Sequence, residues 1–231
     1  IPHTAASLER KGSEAKKCPM PGYTHMQKAM PTTVKMWLDS FSSALIDCLL
    51  MVQAARRIID QNPLGSGSGF GISNFPVDRR LTTSLLKFSK VQKNPLYCAF
   101  SRGYFENLVL QALSNVMTVF GRFANDMMLF TTREFNYFSL PDTFTTGSSI
   151  MPQKRNYDVF EIMRGNMKVF CGYQNQIQSI VGSLGSGYHR DLQLTKKPFL
   201  QAVDLCHTTC ELAVIVVDHL IIHRDVLEKA M

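Results

Sequence analysis

The residues best suited by type and spacing to do chemistry lie in one loop, Thr145-Thr146-Gly147-Ser148-Ser149-Ile150-Met151-Pro152-Gln153-Lys154. Gly147 lets the backbone take unusual angles, and two hydroxyls follow it at once. Pro152 stiffens the loop, and Lys154 adds a fixed positive charge. A helix expected from about Asn156 presents free N–H groups at its start, and such ends favour anions. A hydroxyl base beside a lysine and a helix N-terminus suits a carboxylate substrate. The lysine and the dipoles can hold the negative charge that grows when a carbon next to a carboxylate loses its proton. Taken alone, Gly-Ser-Ser is also the composition of an ordinary solvated turn.

His25 is a second candidate, in the polar turn Pro21-Gly22-Tyr23-Thr24-His25-Met26-Gln27 ahead of the first long helix. Histidine is the natural proton shuttle near neutrality, although a loop histidine is also a common surface residue. Glu161, in the first turns of a later helix, could orient such a histidine and raise its basicity. Near a helix N-terminus it serves equally well to compensate the dipole. A third loop, from Gly182 to Asp191, leads through Tyr188 and Arg190 to Gln193 and Lys196. These are donors suited to a carboxylate- or guanidinium-bearing ligand, or members of a plain helix-entry loop.

Long helices must position these loops. From Thr32 to Asp60 there is neither Gly nor Pro, and Val34, Trp37, Phe41, Leu45, Cys48 and Val52 recur at three- and four-residue steps. Pro31 and Asn62-Pro63 are its start and stop signals. Further runs are expected from about Tyr104 to Thr131, Asn156 to Ile180 and Lys197 to Ile222, with a short helical piece near Val77 to Lys87. Strand signals are weak, and only Phe135 to Leu140 reads as a short extended piece. The fold class is therefore all-α, a bundle of long helices with functional loops on a rigid frame. The helices are apolar on more than one face, so some faces are expected to be buried against other subunits.

Composition narrows the function. The chain has 231 residues, 25 Lys+Arg against 18 Asp+Glu and a net charge of +7, with 45% hydrophobic residues. That excludes intrinsic disorder. The basic residues come in ones and twos, which argues against nucleic acid as the partner and suits an anionic small molecule. Six scattered cysteines point to reduced thiols in a cytoplasmic protein. The most apolar stretch, Leu212 to Ile222, is about half a membrane span and is interrupted by Asp218 and His219, so no membrane is expected. Cys206, Cys210, His219 and His223 have a superficially metal-like spacing. A continuous helix between the two pairs would hold them roughly 20 Å apart, so no metal site is expected.

Taken together, these segments resemble the fumarase/aspartase superfamily, and most of all the argininosuccinate lyases. The superfamily's loop has the form G-S-S-x-M-P-x-K-x-N-P, and here it reads Gly147-Ser148-Ser149-Ile150-Met151-Pro152-Gln153-Lys154-Arg155-Asn156-Tyr157. Gly22 to Gln27 with Pro31 resembles G-Y-T-H-L-Q-x-A-x-P. Tyr188 to Gln193 with Lys196 resembles Y-x-x-D-L-Q-x-x-K. Asn62-Pro63-Leu64-Gly65-Ser66 and Asp78-Arg79 fall in the expected order.

The resemblance implies reversible β-elimination of argininosuccinate to arginine and fumarate, without metal or organic cofactor. It implies Ser148 as the general base, with Lys154 and Asn156 stabilising the carbanion and binding the carboxylate. His25 paired with Glu161 would assist departure of the nitrogen. Thr24, Ser149, Met151, Tyr188, Gln193 and Lys196 are implied as substrate-binding positions. A homotetramer with sites built from several subunits is implied as well.

Two positions depart from the pattern: Tyr157 replaces a proline, and Arg102-Gly103-Tyr104 stands where an R-D-F segment with an acidic side chain is usual. The sequence reads as an entry segment over 1–31 and a central helical bundle over 32–231. The family's N-terminal and C-terminal domains are expected to be missing. The alternatives are a non-catalytic relative on the same fold, or a lyase releasing fumarate from another compound.

Overall fold

The computed structural model describes residues 1–75, 77–147, 149–151 and 153–231. Helices dominate the described residues: α1 (Pro2–Glu14), α2 (Val34–Ile59), α3 (Arg79–Leu85), α4 (Pro95–Phe130), α5 (Asp158–Gly182), α6 (Lys196–Asp218) and α7 (Arg224–Lys229). The four long runs expected from the sequence are α2, the later part of α4, α5 and α6. Three two-stranded ladders accompany them. β1 (Pro19–Thr24) pairs antiparallel with β2 (Gln27–Thr33). β3 (Gln61–Asn62) pairs parallel with β4 (Lys90–Val91). β5 (Phe138–Ser139) pairs antiparallel with β6 (Ile221–Ile222).

Helix α6 therefore stops at Asp218, short of the expected Ile222. Its last residues leave the helix because their backbone is taken up by β5. The entry segment holds a helix, α1, and the hairpin of β1 and β2, whose tip lies within the Pro21–Gln27 stretch read as a polar turn.

The chain forms two compact units. The first comprises Ile1–Leu49, Asn115–Val169 and Leu205–Met231, the second Leu50–Ser114 and Phe170–Asp204. An aromatic cluster centres the first. The Trp37 ring stacks on Phe138 at 5.0 Å and on Phe123 at 5.9 Å, and meets Phe41 and Phe130 edge-on. Burying rings of this size contributes about 2–3 kcal/mol each. It ties α2, α4 and β5 together.

The second unit is held by polar clamps as well as by apolar packing. Asn62 is fully buried; its amide nitrogen donates to the Thr82 and Thr83 hydroxyls, and its carbonyl oxygen accepts from the Leu64 N–H. The Arg79 guanidinium donates to the carbonyls of Asn62, Leu64, Gln92 and Lys93. Asp78 caps α3 by accepting from the Arg80 and Leu81 N–H groups. The Asn-Pro-Leu-Gly and Asp-Arg segments thus act together, fixing both ends of the Gly/Ser loop that follows Asn62.

The six cysteines are free thiols. The metal-like histidines are engaged elsewhere: His219 Nδ1 lies 2.8 Å from the Ile215 carbonyl and His223 Nε2 lies 2.8 Å from Ser139 Oγ. Val34–Ile59 and Arg190–Asp218 are long and apolar enough to cross a bilayer by length and composition. A helix covered by other protein meets the same measure.

Candidate active site

In the first unit, the hairpin of β1 and β2 carries the Thr-His motif. Thr24 pairs with Gln27, so His25 and Met26 form a two-residue loop. Both have positive φ, 53° and 61°. This is the sign pattern of a type I′ turn, which Asn-Gly fills most easily. Histidine tolerates this region better than most residues, but a methionine there is strained, at a cost of roughly 1–2 kcal/mol per residue.

Strain of this kind persists only where the surroundings over-determine the backbone. Gly22 supplies a close approach: a Cβ there would lie 2.6 Å from the Met30 carbonyl oxygen. Tyr23 supplies an anchor. Its hydroxyl shares a 2.7 Å hydrogen bond with that of Tyr137, and its ring packs on Phe130 and Phe135. Burial, aided by that bond, pushes the Tyr137 phenol above its ordinary range. Thr24 and His25 stand exposed at the tip.

The Gly-Ser-Ser loop also lies in this unit, and Ser148 falls outside the described residues. The loop is pinched at its base by an isolated bridge. Thr146 and Asn156 exchange N–H···O bonds of 3.0 Å in both directions. The Thr146 hydroxyl donates to Asp158 at 2.6 Å, and Arg133 donates to the Gln153 carbonyl at 3.0 Å. Arg155 lies 3.6 Å from the Asp142 carboxylate. Ser149, Met151 and Lys154 are exposed, and Asn156 is half-buried. Among the described residues no carboxylate lies within ion-pair distance of Lys154, so its charge is available to a ligand.

The helix that follows begins at Asp158, two residues later than expected. Its first turn carries Asp158 and Glu161, so its own carboxylates meet part of the favourable dipole field. Glu161 is exposed, and no hydrogen bond joins it to His25 among the described residues.

The second unit holds the remaining candidates. Gln193 Nε2 donates to the Tyr188 hydroxyl at 2.8 Å, and the Arg102 guanidinium lies over the Tyr188 ring at 5.2 Å. Lys196 is exposed at the first position of α6. Sequence reasoning missed Arg102 as a member of this group. It also missed the Tyr23–Tyr137 pair and the Arg79 clamp. Isolated arginines and tyrosines carry no periodic signal.

Gly103 explains its own departure from the family pattern. It has φ +73°, and a Cβ there would lie 2.6 Å from Val181 and 2.9 Å from Leu192. A larger residue would force Val181 and Leu192 to shift and would sit in a strained backbone.

A helical frame presenting a pinched Gly-Ser-Ser loop and a strained Thr-His turn has the layout of the fumarase/aspartase class. A family model described as "Lyase" matches residues 4–172, and the chain belongs to that family. Its relatives include argininosuccinate lyases. The one from Sorangium cellulosum is 46% identical over 92% of this chain and 49% of its own length. The one from Parabacteroides distasonis is 44% identical over 80% of this chain and 41% of its own. The chain thus spans about half the length of the curated relatives it matches. Among solved structures, EDDS lyase in complex with formate superposes with a TM-score of 0.91 at 21% identity, covering 99% of this chain and 45% of that one. That likeness establishes the shared fold.

Proposed function

We propose that this chain is the central part of an argininosuccinate lyase, which splits argininosuccinate reversibly into arginine and fumarate. The observation that carries the reading is the 46% identity, over 92% of the chain, to a protein named for that activity. The site chemistry supports it. In β-elimination a base takes a proton from the succinyl carbon beside a carboxylate. The electron pair left behind forms the new C=C bond, and the C–N bond breaks as nitrogen takes up a proton. Ser148 is the proposed base. Lys154, without a carboxylate partner among the described residues, would stabilise the charge that develops on the carboxylate, with Asn156 beside it. His25 and Glu161 form the acid side, and Thr24, Ser149, Met151, Tyr188, Gln193 and Lys196 position the substrate.

His25 and Glu161 are unjoined within one chain, which favours a site assembled across the subunits of a homotetramer. The net charge of +7 suits an anionic substrate. Six free thiols suit a cytoplasmic setting.

The test is fumarate release from argininosuccinate followed by ultraviolet absorbance. Release is expected, and Ser148→Ala is expected to abolish it. A variant that kept normal turnover would remove Ser148 as base. Release from a different succinyl compound alone would move the substrate assignment within the family. A non-catalytic relative is the other reading. It is motivated by Tyr157 and by Gly103, where the family pattern has a proline and an acidic residue.

A further inference from the structure

Two tethers hold the tip of the Thr-His hairpin, and both start from one cross-strand pair. Tyr23 of β1 faces Lys28 of β2 in the register, one step back from the Thr24–Gln27 pair that closes the turn. The Tyr23 hydroxyl meets that of Tyr137 at 2.7 Å, and the Lys28 ammonium donates to the Ala230 carbonyl at the end of α7. The two anchor points are themselves joined. The His223 N–H, at the start of α7, donates to the Tyr137 carbonyl at 2.9 Å.

The hairpin needs such tethers. A two-stranded ribbon is marginal on its own. Pro19, Pro21 and Pro31 bring no N–H groups to its ladder, and the register shifts between Pro21 and Tyr23. The His25-Met26 turn has positive φ at both residues, a conformation that relaxes unless its surroundings hold it. Tyr137 supplies the fixed end. It is buried, and its ring packs on Phe130 and Phe135 at 5.6 and 5.4 Å. Both of these rings also meet Tyr23. Packing brings the two tyrosines together. The directional bond between their hydroxyls sets where Tyr23 stops, and with it His25 two residues on.

We propose that Tyr137 is a positioning residue for His25, acting through the Tyr23 hydroxyl to hold the Thr-His turn in its strained form. Its effect on catalysis rests on the proposed reaction, in which His25 works on the acid side. Its effect on the turn does not.

Tyr137→Phe and Tyr23→Phe each keep the ring and remove one hydroxyl. In the fumarate-release assay each should lower kcat about fivefold, the usual effect of one hydrogen bond. KM should stay unchanged, as expected of a buried group that acts through another. The double variant should lose no more than either single, because all three lack the same bond. A purely structural role would lower the melting temperature and leave kcat of the folded protein intact. The His25 ring signal, followed by NMR and assigned with His25→Gln, should shift in both single variants while those of His3, His189 and His207 stay in place. Unchanged kcat, a loss taken in KM instead, or losses that multiply in the double variant would overturn the proposal. If the parent releases no fumarate, the reaction fails and the His25 signal decides the positioning. A shift in both variants then sustains it, and an unmoved signal removes it.

Discussion

Asp126 accepts a 3.0 Å hydrogen bond from the Trp37 indole, at the edge of the aromatic cluster. Burial holds its carboxyl above the ordinary range, against smaller opposing effects of the Trp37 bond and of Arg122. A carboxyl whose folded-state pKa exceeds the unfolded one binds its proton more tightly when folded. Stability is therefore greatest below the unfolded value and falls as pH rises through the folded one. Asp126→Asn keeps an acceptor for the indole and removes the ionisation. The variant should be more stable than the parent at pH 7, with the difference vanishing below about pH 4. Thermal unfolding across that pH range measures it; a variant no more stable at pH 7 would show that the carboxylate is well compensated. At this scale the sequence announced only residues that sit in motifs. Ser148, His25 and Lys154 stood out because their neighbours formed a pattern. Arg79 and Arg102 also sat in compared segments, but their roles were not legible, because those depend on which carbonyls and rings the fold brings to them.

Helix α4 carries the clearest case of an element shaped for one residue. The break at Arg102 and Gly103 gives up regular helical geometry near the start of the helix, and aims Arg102 at Tyr188. Gly103→Ala would place a Cβ against Val181 and Leu192 in a left-handed backbone. Together these effects should cost about 3 kcal/mol, read as a lowered denaturant midpoint at constant m-value. A neutral result would mean that the break relaxes easily and that the Arg102 geometry is not imposed by packing.

The long helices themselves were legible, because Gly- and Pro-free runs with a recurring apolar face leave few alternatives. The hairpin of β1 and β2 was not. Its strands contain Pro19, Pro21 and Pro31, its burial does not alternate, and its turn is His-Met rather than Asn-Gly. Helix α1 was hidden for a related reason: its buried residues include Thr4, Ser7 and Gly12, so its inward face does not read as apolar. The end of α6 was overrun because the apolar pattern continues into Ile221 and Ile222, and only the distant partner strand converts them.

For the molecule as a whole, the informative surface is the apolar one. Met36, Ile46, Leu50, Met51 and Ile58 of α2 are exposed, as are Ile162 and Val169 of α5 and Leu200 and Ile215 of α6. Scattered singly such residues need no explanation, but several on each long helix favour burial by further copies of the chain. The charges on α2, including Asp47, Arg56 and Arg57, fit a protein interface with a polar rim better than a lipid-facing helix. The proposed tetramer makes a quantitative demand on the site. If His25 and Ser148 of one site come from different subunits, His25→Ala and Ser148→Ala proteins are each inactive alone. Unfolded, mixed in equal amounts and refolded, they form hybrids in which either required subunit is the competent one half the time. Roughly a quarter of the sites then hold both intact side chains, so roughly a quarter of the parent's fumarate release should return. If both side chains came from the same chain, every site would lack one of them and mixing would restore nothing. The recovered fraction therefore reports whether the site is shared between chains, and it does so without any structure of the assembly.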